Sequence, residues 1–216
     1  MSNARNIASG AKFVDTAGDT MTGVLTANND IIANKHLRLY TTDDQANQWY
    51  VYNNTDDTLR FNYNGAGNDE VVLDTVGRMT VPNQPSFRTY KNGHYNETSG
   101  ANRVGSWTSV SNVGSHLNTT TGTFTAPVTG KYFFSFSAMA YNLTGDTQWR
   151  LYKNGSIAIG SNDTGKGSTL NQITVTGVIE LSASDYVEPY CYSSHNSSNQ
   201  QVYSGTYSTY TGILIG

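Results

Sequence analysis

Short apolar clusters, separated by turn-forming residues, recur through the first half of the chain. They lie at residues 36–40, 49–52, 59–63, 71–74 and 78–81. The segments between them are rich in Asp, Asn and Gly, which favour turns and tolerate left-handed backbone. Clusters that repeat every ~8–12 residues are typical of short antiparallel strands, and the spacing of the apolar residues is not helical. The pattern predicts an all-β segment.

These predicted strands carry too few apolar residues to build a core alone. Each offers about two or three such side chains, and a separate domain of roughly 60 residues with so little to bury is marginally stable. Copies that pool their apolar faces around a shared axis supply the missing core and close the strand edges. We therefore predict a short trimeric β-rich fibre shaft at residues 21–83, preceded by a polar attachment segment at 1–20 that becomes ordered on a partner.

The second half of the chain has longer segments of alternating apolar and polar residues. One predicted strand carries Tyr132, Phe134 and Phe136 on one face and mostly polar residues on the other. Asn154–Gly155 is a hairpin turn signal between two further strands. Roughly eight to ten short strands in about 130 residues predict a β-sandwich at residues 84–216.

The composition narrows the classes of function. Of the 216 residues, 37% are hydrophobic and only 13% are charged, and the formal net charge is −3. Neither a run of about 20 apolar residues nor the apolar core of a signal peptide is present, so no membrane insertion or secretion is predicted. Without a cluster of Lys or Arg, nucleic acid is a poor partner. The single cysteine, Cys191, excludes a disulfide framework and is expected to be buried.

The sequence lacks the motifs of common enzyme classes. It contains no G-x-S-x-G, no H-E-x-x-H and no glycine-rich phosphate loop. Asp43–Asp44 and Asp56–Asp57 are candidate glycosidase carboxylates, but both lie in segments where Asp side chains usually bind turn amides. Asp163 is a candidate Ca²⁺ ligand, which an Asp-Thr-Gly turn explains more simply. We expect no catalysis, no metal and no cofactor.

Four blocks of the second half match one family in order and spacing. The segment G-T-F-T-A-P-V-T-G-K-Y-F-F-S-F at 122–136 resembles the signature of the C1q-like domain of the C1q/TNF superfamily. Three further blocks resemble it too: L-Y-K-N-G at 151–155, L-S-A-S-D-Y-V at 181–187 and Y-S-T-Y-T-G-I-L-I at 207–215. The resemblance covers about residues 85–216 and implies a ten-stranded jelly roll. It also implies a homotrimer with both termini of the domain at one end.

The closing strands of this domain are expected to carry more apolar side chains than one sandwich core needs. The surplus would be buried between the three protomers near the threefold axis, in an interface of the obligate kind. The residues assigned to the core and trimer interface are Tyr132, Phe134, Phe136, Tyr210, Leu214 and Ile215. Burial on that scale makes the free monomer negligible.

A short motif near the N-terminus resembles one found in viral appendages. The stretch D-T-M-T-G-V-L-T at 19–26 is similar to a motif that recurs in bacteriophage tail fibres, where it introduces a β-rich shaft repeat. Its position ahead of the strand clusters agrees with that arrangement. The resemblance implies a virion structural protein, an external appendage held to other virion proteins by residues 1–20.

Two loops of the second half have the composition of a sugar-binding surface. Aromatic rings cover the apolar face of a sugar, while amide and hydroxyl groups bind its OH groups. The candidates are Tyr90, Asn92, His94 and Tyr95 in one loop and Tyr141, Asn142, Asp146 and Gln148 in the other. Counting strands places both loops at the distal end of the head and places a third polar segment, 194–200, toward the base or flank. Solvated loops without a ligand are the alternative for all three.

Together these features predict a trimeric virion fibre whose C1q-like knob binds a host cell-surface glycan. Three weak sites per knob and several knobs per particle give durable attachment through effective concentration. The main alternative is a purely structural capsid, collar or baseplate decoration protein with no receptor role. Glycan depolymerisation is an enzymatic alternative, and a secreted cellular C1q-like protein is another, against which the missing signal peptide argues.

Overall fold

A computed structural model describes residues 36–41, 44–64, 69–96, 99–141, 146–164, 170–194 and 201–216. These residues form strands and turns, and no helix occurs among them. The predicted attachment segment 1–20, the tail-fibre-like motif at 19–26 and Asn142 lie outside the described residues. Within the described part of the chain, no helix has the length and hydropathy needed to cross a membrane.

The strands fall into two groups along the chain. The first group is β1 (His36–Thr41), β2 (Asp44–Asn53), β3 (Leu59–Tyr63), β4 (Val71–Leu73) and β5 (Met79–Thr80). The second group is β6 (Ser86–Lys91), β7 (Tyr95–Asn96), β8 (Gly100–Arg103), β9 (Trp107–Val113), β10 (Leu117–Asn118), β11 (Thr123–Thr125), β12 (Gly130–Tyr141), β13 (Asp146–Lys153), β14 (Ser156–Thr164), β15 (Asn171–Leu181), β16 (Tyr186–Ser193), β17 (Gln201–Val202) and β18 (Gly205–Leu214). Each of the five apolar clusters in the first half corresponds to a strand, as the pattern predicted.

The first group forms an antiparallel sheet in which each strand pairs with the next, in the order β1-β2-β3-β4-β5. We call this sheet, residues 36–80, the meander. The register places Val51, Phe61 and Val71 opposite one another in β2, β3 and β4. Residues opposite one another share a face, so one face of the meander is apolar. Arg60, one residue before Phe61, lies on the other face.

The second group forms a sandwich of two antiparallel sheets. The six-stranded sheet has the order β10-β11-β16-β13-β14, with β8 also paired to β16. The seven-stranded sheet has the order β7-β17-β12-β18-β6-β9, with β15 also paired to β12. This arrangement confirms the all-β, jelly-roll-like class. The described strands outnumber the predicted eight to ten because β7, β8, β10 and β17 are pairings of only two to four residues.

The sandwich core is built mainly from aromatic side chains between the two sheets. Phe134 and Phe136 of β12 have no exposed surface, and each ring contacts Tyr210 of β18 at a centroid distance of 6.3 Å. Trp149 and Leu151 of β13 close the core from the six-stranded sheet and are also fully buried. The hairpin predicted at residues 154–155 is present, and both of its residues have positive φ, as a type I′ turn requires.

The residues assigned to the core and trimer interface divide into two groups. Four of the six have no exposed surface within one chain: Tyr132, Phe134, Phe136 and Tyr210. They fill the core of the sandwich, so they have nothing left to bury against a second chain. Leu214 packs at the edge of the same core, and Ile215 is half exposed. Three neighbouring exposed apolar residues of the sandwich lie instead on the outward face of the seven-stranded sheet, and they are described below.

The sandwich has two distinct ends. Pro85, which leads into β6, accepts a hydrogen bond from the N–H of Leu214 at 3.0 Å. The N–H of Lys131, at the start of β12, donates to the carbonyl of Gly216. The entry and exit of the domain therefore lie at one end, which we call the base. The opposite end, where β6 and β12 finish and β13 begins, we call the tip.

Candidate functional site

The two predicted binding loops come together at the tip through a small strand between them. β17 pairs with β7 on one side and with β12 on the other, so that Gln201 lies opposite both Asn96 and Tyr141. The segment that follows β6 is thereby held beside the end of β12. The prediction that both loops lie at the end away from Pro85 agrees with this register.

A third aromatic residue, Tyr203, joins the two loops. Its ring lies 4.8 Å from the His94 ring, centroid to centroid, at an interplanar angle of 78°. The same ring lies 6.4 Å from the Tyr141 ring at 79°. We call His94, Tyr141 and Tyr203 the tip cluster. The sequence analysis did not predict Tyr203 as a site residue. A single Tyr next to Ser and Gly in a polar segment does not distinguish a binding residue from any other aromatic residue.

A backbone hydrogen bond sets the donor side of the His94 ring. The N–H of Ser204 donates to His94 Nδ1 at 3.3 Å. Because Nδ1 accepts, this bond assigns the proton of the neutral imidazole to Nε2, which is then a donor. His94 is exposed, so its ring is accessible from solvent at the tip cluster.

The loop that carries His94 is shaped by its backbone. The N–H of Asn92 donates to the carbonyl of Ser106 at 2.8 Å, which ties the loop to β9. Gly93 has a φ of +73°, a left-handed conformation that glycine adopts without steric cost. The side chain of Asn92 is exposed beside that of His94. The loop therefore presents an amide and an imidazole to solvent.

Lys91 supports this loop from beneath. Its side chain is almost fully buried, and Nζ donates to the carbonyls of Asn92 and Ser106, each at 3.2 Å. Nζ also lies 6.0 Å from the centroid of the Tyr95 ring, which is half-buried against the core. Burial lowers the pKa of Lys91, and the neighbouring Cys191 opposes that change. A buried amine thus fixes the start of the loop.

Three predicted site residues lie away from the tip cluster. Tyr90 points outward from β6 onto the outer face of the seven-stranded sheet, since its neighbours along the strand are buried. Asp146 lies at the tip but on the other sheet, and its backbone N–H donates to Ser194 Oγ at 2.9 Å. Gln148 is engaged by Arg150, whose Nε and Nη2 donate to Gln148 Oε1 at 2.8 and 2.6 Å.

The third polar segment was predicted toward the base or flank, but its first residue lies at the tip. Ser194, where it begins, lies at the tip, because its N–H donates to the carbonyl of Asp146 at 2.9 Å. The strand count used to place it was too low, and one extra strand reverses the end at which a loop falls. Residues 195–200 lie outside the described residues.

A second row of aromatic residues lies on the outward face of the six-stranded sheet. Tyr152 and Tyr190 stack with centroids 4.1 Å apart at 27°, and the guanidinium of Arg150 lies 4.2 Å above the ring of Tyr192. Arg150 Nη1 also donates to the hydroxyl of Tyr152 at 3.3 Å. Burial raises the pKa of Tyr190. Since these planar groups stack on one another, the row stabilises the sheet rather than offering ring faces to a ligand.

The carboxylates considered for catalysis or metal binding show no catalytic arrangement among the described residues. Asp56 accepts hydrogen bonds from the N–H and hydroxyl of Thr58, at 3.2 and 2.6 Å, as a turn residue does. Asp44 begins β2, and Asp163 pairs with Thr147 in the β13–β14 ladder. No group of three His, Cys, Asp or Glu in the part of the chain described here could hold a metal ion.

Three clefts in the described part of the chain lie away from the tip cluster. One of about 880 Å³ runs beside Ser115–Pro127, and one of about 410 Å³ lies between Lys131 and Lys153. A third, of about 660 Å³, lies between the meander and the base of the sandwich.

Comparisons with known proteins concern the sandwich. The family model described as "C1q domain" matches residues 96–215. Murine APRIL at pH 5.0 is 11% identical with a TM-score of 0.50, covering 61% of this chain and 99% of that one. The globular domain of zebrafish complement 1qA protein is 22% identical with a TM-score of 0.47, covering 62% and 98%. Eiger TNF from S. frugiperda is 12% identical with a TM-score of 0.48, covering 62% and 93%.

The family model shows the fold of the sandwich, and its range does not include the meander. At such identities, the likeness of the murine APRIL structure concerns the fold alone. Among curated proteins, none matches the chain. The matched family range begins after β6, yet β6 lies between β18 and β9 in the seven-stranded sheet, so the structural domain begins at Ser86.

Proposed function

The chain belongs to the C1q domain family through residues 96–215, and on this premise we propose that it is a homotrimeric appendage protein whose head binds a cell-surface glycan. The glycan contacts the tip cluster of His94, Tyr141 and Tyr203, with Asn92 and Tyr95 beside it. The observation that carries the proposal is the joining of the two candidate loops by Tyr203. The protein acts by adhesion and performs no catalysis.

The chemistry of the tip cluster suits a neutral sugar. A pyranose offers an apolar face that aromatic rings cover, surrounded by hydroxyl groups that both donate and accept hydrogen bonds. His94 contributes a donor at Nε2, and the Asn92 amide contributes both a donor and an acceptor. We expect weak binding per site, which three copies on one head strengthen through effective concentration.

An exposed apolar group on the sandwich supports self-association of the head. Phe133 lies opposite Val178 of β15 and Ile213 of β18, so the three side chains are neighbours on the outward face of the seven-stranded sheet. All three are exposed in a single chain. Adjacent exposed apolar side chains favour burial against another protein surface. The homotrimer implied by the family resemblance gives this face its partner.

The attachment role follows from the two ends of the head. The meander enters the sandwich at the base through Pro85, and the tip cluster lies at the opposite end. The motif at 19–26, which resembles bacteriophage tail fibres, supports a virion as the particle that carries the head. The alternative is a purely structural decoration protein with the same assembly and no receptor. Electron microscopy of labelled particles separates the two, because a receptor-binding tip must face outward.

Glycan binding is tested with matched histidine and tyrosine variants of the full chain. On a glycan array, His94→Ala and Tyr203→Ala should each reduce binding by about tenfold or more, which corresponds to roughly 1.4 kcal/mol. The controls are His116→Ala and Tyr186→Ala, which change the same residue types near the base. The controls should bind like the wild type.

Two outcomes contradict the proposal. Equal binding by the tip variants and the wild type excludes this surface, and an absence of binding to any glycan by the intact trimer favours the structural alternative. Release of shorter sugar products from a bound polysaccharide would show an enzyme instead.

A further inference from the structure

The meander has an unusual distribution of burial between its two faces. Asn62 is 3% exposed and Asp69 is 8% exposed, although both are polar. On the opposite face, Trp49 is 44% exposed and Met79 is 65% exposed, although both are large and apolar. In a sheet that completes its own core, this distribution is reversed.

Between Trp49 and Met79 the open face is mainly apolar, and the polar Asn53 lies at its edge opposite Leu59. The register of β2 to β5 places eight apolar residues on it: Trp49, Val51, Leu59, Phe61, Tyr63, Val71, Leu73 and Met79. We call this set the apolar face. Trp49 and Tyr63 touch each other at a centroid distance of 5.4 Å, so the side chains form a continuous surface. None of the eight carries a charge, so the face offers nothing to a charged partner.

The polar groups on the opposite face of the meander bond to one another, so that face is a poor surface for an interface and the apolar face is the better one. Asp69 accepts hydrogen bonds from the Tyr52 hydroxyl at 2.7 Å and from Arg60 Nη1 at 2.5 Å. Arg60 also bridges to Asp56 at 2.5 Å. These groups satisfy one another within the chain, and burying them further would remove them from water without a new partner.

The area of the apolar face indicates what kind of partner it needs. Its most exposed members are Trp49, Leu59, Tyr63 and Met79. Side chains of this size, exposed by about half, offer roughly 400 Å² together. A stable interface buries about 800 Å² on each partner, so the apolar face supplies about half of one. The remainder must come from a second patch on the same chain.

The head supplies that second patch. Phe133, Val178 and Ile213 are exposed on the seven-stranded sheet, and Ile213 pairs with Ser86 at the start of β6. The segment between β5 and β6 is therefore all that separates the two exposed surfaces along the chain. A partner that covers both surfaces needs two apolar surfaces of its own in the same order. Another copy of this chain has them: its apolar face and its exposed residues Phe133, Val178 and Ile213.

We propose that the apolar face of the meander packs against the meanders of neighbouring copies and forms a core shared between subunits. This inference rests on the self-association proposed above and extends it to a region that the family match does not include. The meander is thereby an assembly element that adds to the head interface.

Native tryptophan fluorescence tests the proposal without any substitution. The chain has three Trp residues, and Trp107 and Trp149 are buried within the sandwich. Any emission that a soluble quencher removes from the folded protein therefore comes from Trp49. In the assembled protein, we expect almost complete protection from acrylamide and iodide.

Cross-linking between copies identifies what covers the face. We expect Met79→Cys and Leu59→Cys to give covalent oligomers through disulfides between copies when the protein assembles under mildly oxidising conditions, whereas Thr80→Cys does not. Thr80 is the matched control, because it is exposed on the same strand and lies on the opposite face. Cys191 is 1% exposed and stays silent in the folded protein. Sedimentation of the untreated protein gives the oligomeric state for the same samples.

Each outcome decides the matter. Protection of Trp49 together with cross-links at residues 59 and 79 supports the proposal. Protection of Trp49 without cross-links shows that another part of the same chain covers the face. A quenchable Trp49 in a stable trimer shows that the face is open and would bind a different partner. Both overturn this inference and leave the self-association of the head intact. A monomer at micromolar concentration overturns both proposals.

Discussion

The sandwich and the meander differ in whether the apolar side of each sheet is covered within the chain. In the sandwich, alternation along β12 places Phe134 inside with no exposed surface, and a core of fully buried rings results. In the meander, alternation along β3 places Phe61 on an open face and Asn62 on a covered one. Both regions have the same kind of sequence pattern. They differ in whether a second sheet of the same chain covers the apolar side.

This difference separates two sources of stability. A sandwich buries its rings between its own sheets, so its folding depends little on other copies. A single sheet with one apolar face gains that burial only from another molecule, and its stability then depends on protein concentration. The experiments that follow change one region at a time, so that each source can be measured separately.

The largest effect is expected from a pair of matched Phe substitutions. Phe134→Ala removes a fully buried ring and should lower the free energy of unfolding by about 3–5 kcal/mol. Phe61→Ala removes a half-buried ring and should lower it by about 1–2 kcal/mol in dilute protein, where copies are apart. Urea unfolding monitored by fluorescence measures both. Equal losses would remove the contrast between the two regions.

An intermediate effect is expected from the polar side of the meander. Asp69→Asn weakens the bonds from Tyr52 and Arg60 and should cost about 2 kcal/mol at neutral pH. Burial raises the pKa of Asp69, but these hydrogen bonds outweigh it and leave the pKa below its usual value of 3.8. The stabilisation is therefore present above that value and is lost as the pH falls through the lower, folded-state pKa.

The acid range gives this prediction its control. The wild type should lose stability below pH 3.8, and Asp69→Asn should lose less of it. Asp57→Asn, at an exposed turn residue of the same region, should follow the wild type. Identical acid unfolding of all three proteins would show that Asp69 does not stabilise the meander.

The smallest effect is expected at Lys91, beneath the tip loop of the sandwich. Burial holds the pKa of this amine below 10.5. At neutral pH, where Lys91 is charged in both the folded and the unfolded chain, burying that charge lowers the free energy of unfolding. As the pH rises through the folded-state pKa toward 10.5, the folded chain binds fewer protons than the unfolded one, and stability increases. Lys91→Met should abolish that increase, as measured by urea unfolding at pH 7 and pH 9.5. A parallel rise in the variant would contradict it.

Local sequence patterns predicted most of the strands and one turn correctly. The clusters of the meander and the alternation of β12 are properties of a few consecutive residues, as is the turn at Asn154–Gly155. Each follows from the period of a strand or from backbone conformations that few residues adopt. The resemblance to the C1q family added the order of the sheets, which no local pattern contains.

The errors concern relations between distant segments. Alternation shows that Phe133 and Phe134 lie on opposite faces, but not which face meets the second sheet, so the sequence did not divide the core residues from those left for an interface. Tyr203 entered the tip cluster only through the pairing of β17 with two other strands. The end at which Ser194 lies depends on the number of strands between Tyr141 and Ser194, and the four strands β13 to β16 return the chain to the tip.

The course of β6 determines how a pulling force crosses the head. This strand runs from Pro85 at the base to Lys91 beneath the tip loop, and it is bonded to β18 on one side and β9 on the other. A tether at the base and a load held at the tip would stretch β6 along its own axis. The hydrogen bonds of a ladder run across the strand, so those on both sides resist the load together and do not open one after another. Under such a load the head would bear tension in shear, the stronger of the two ways in which strands can be pulled apart.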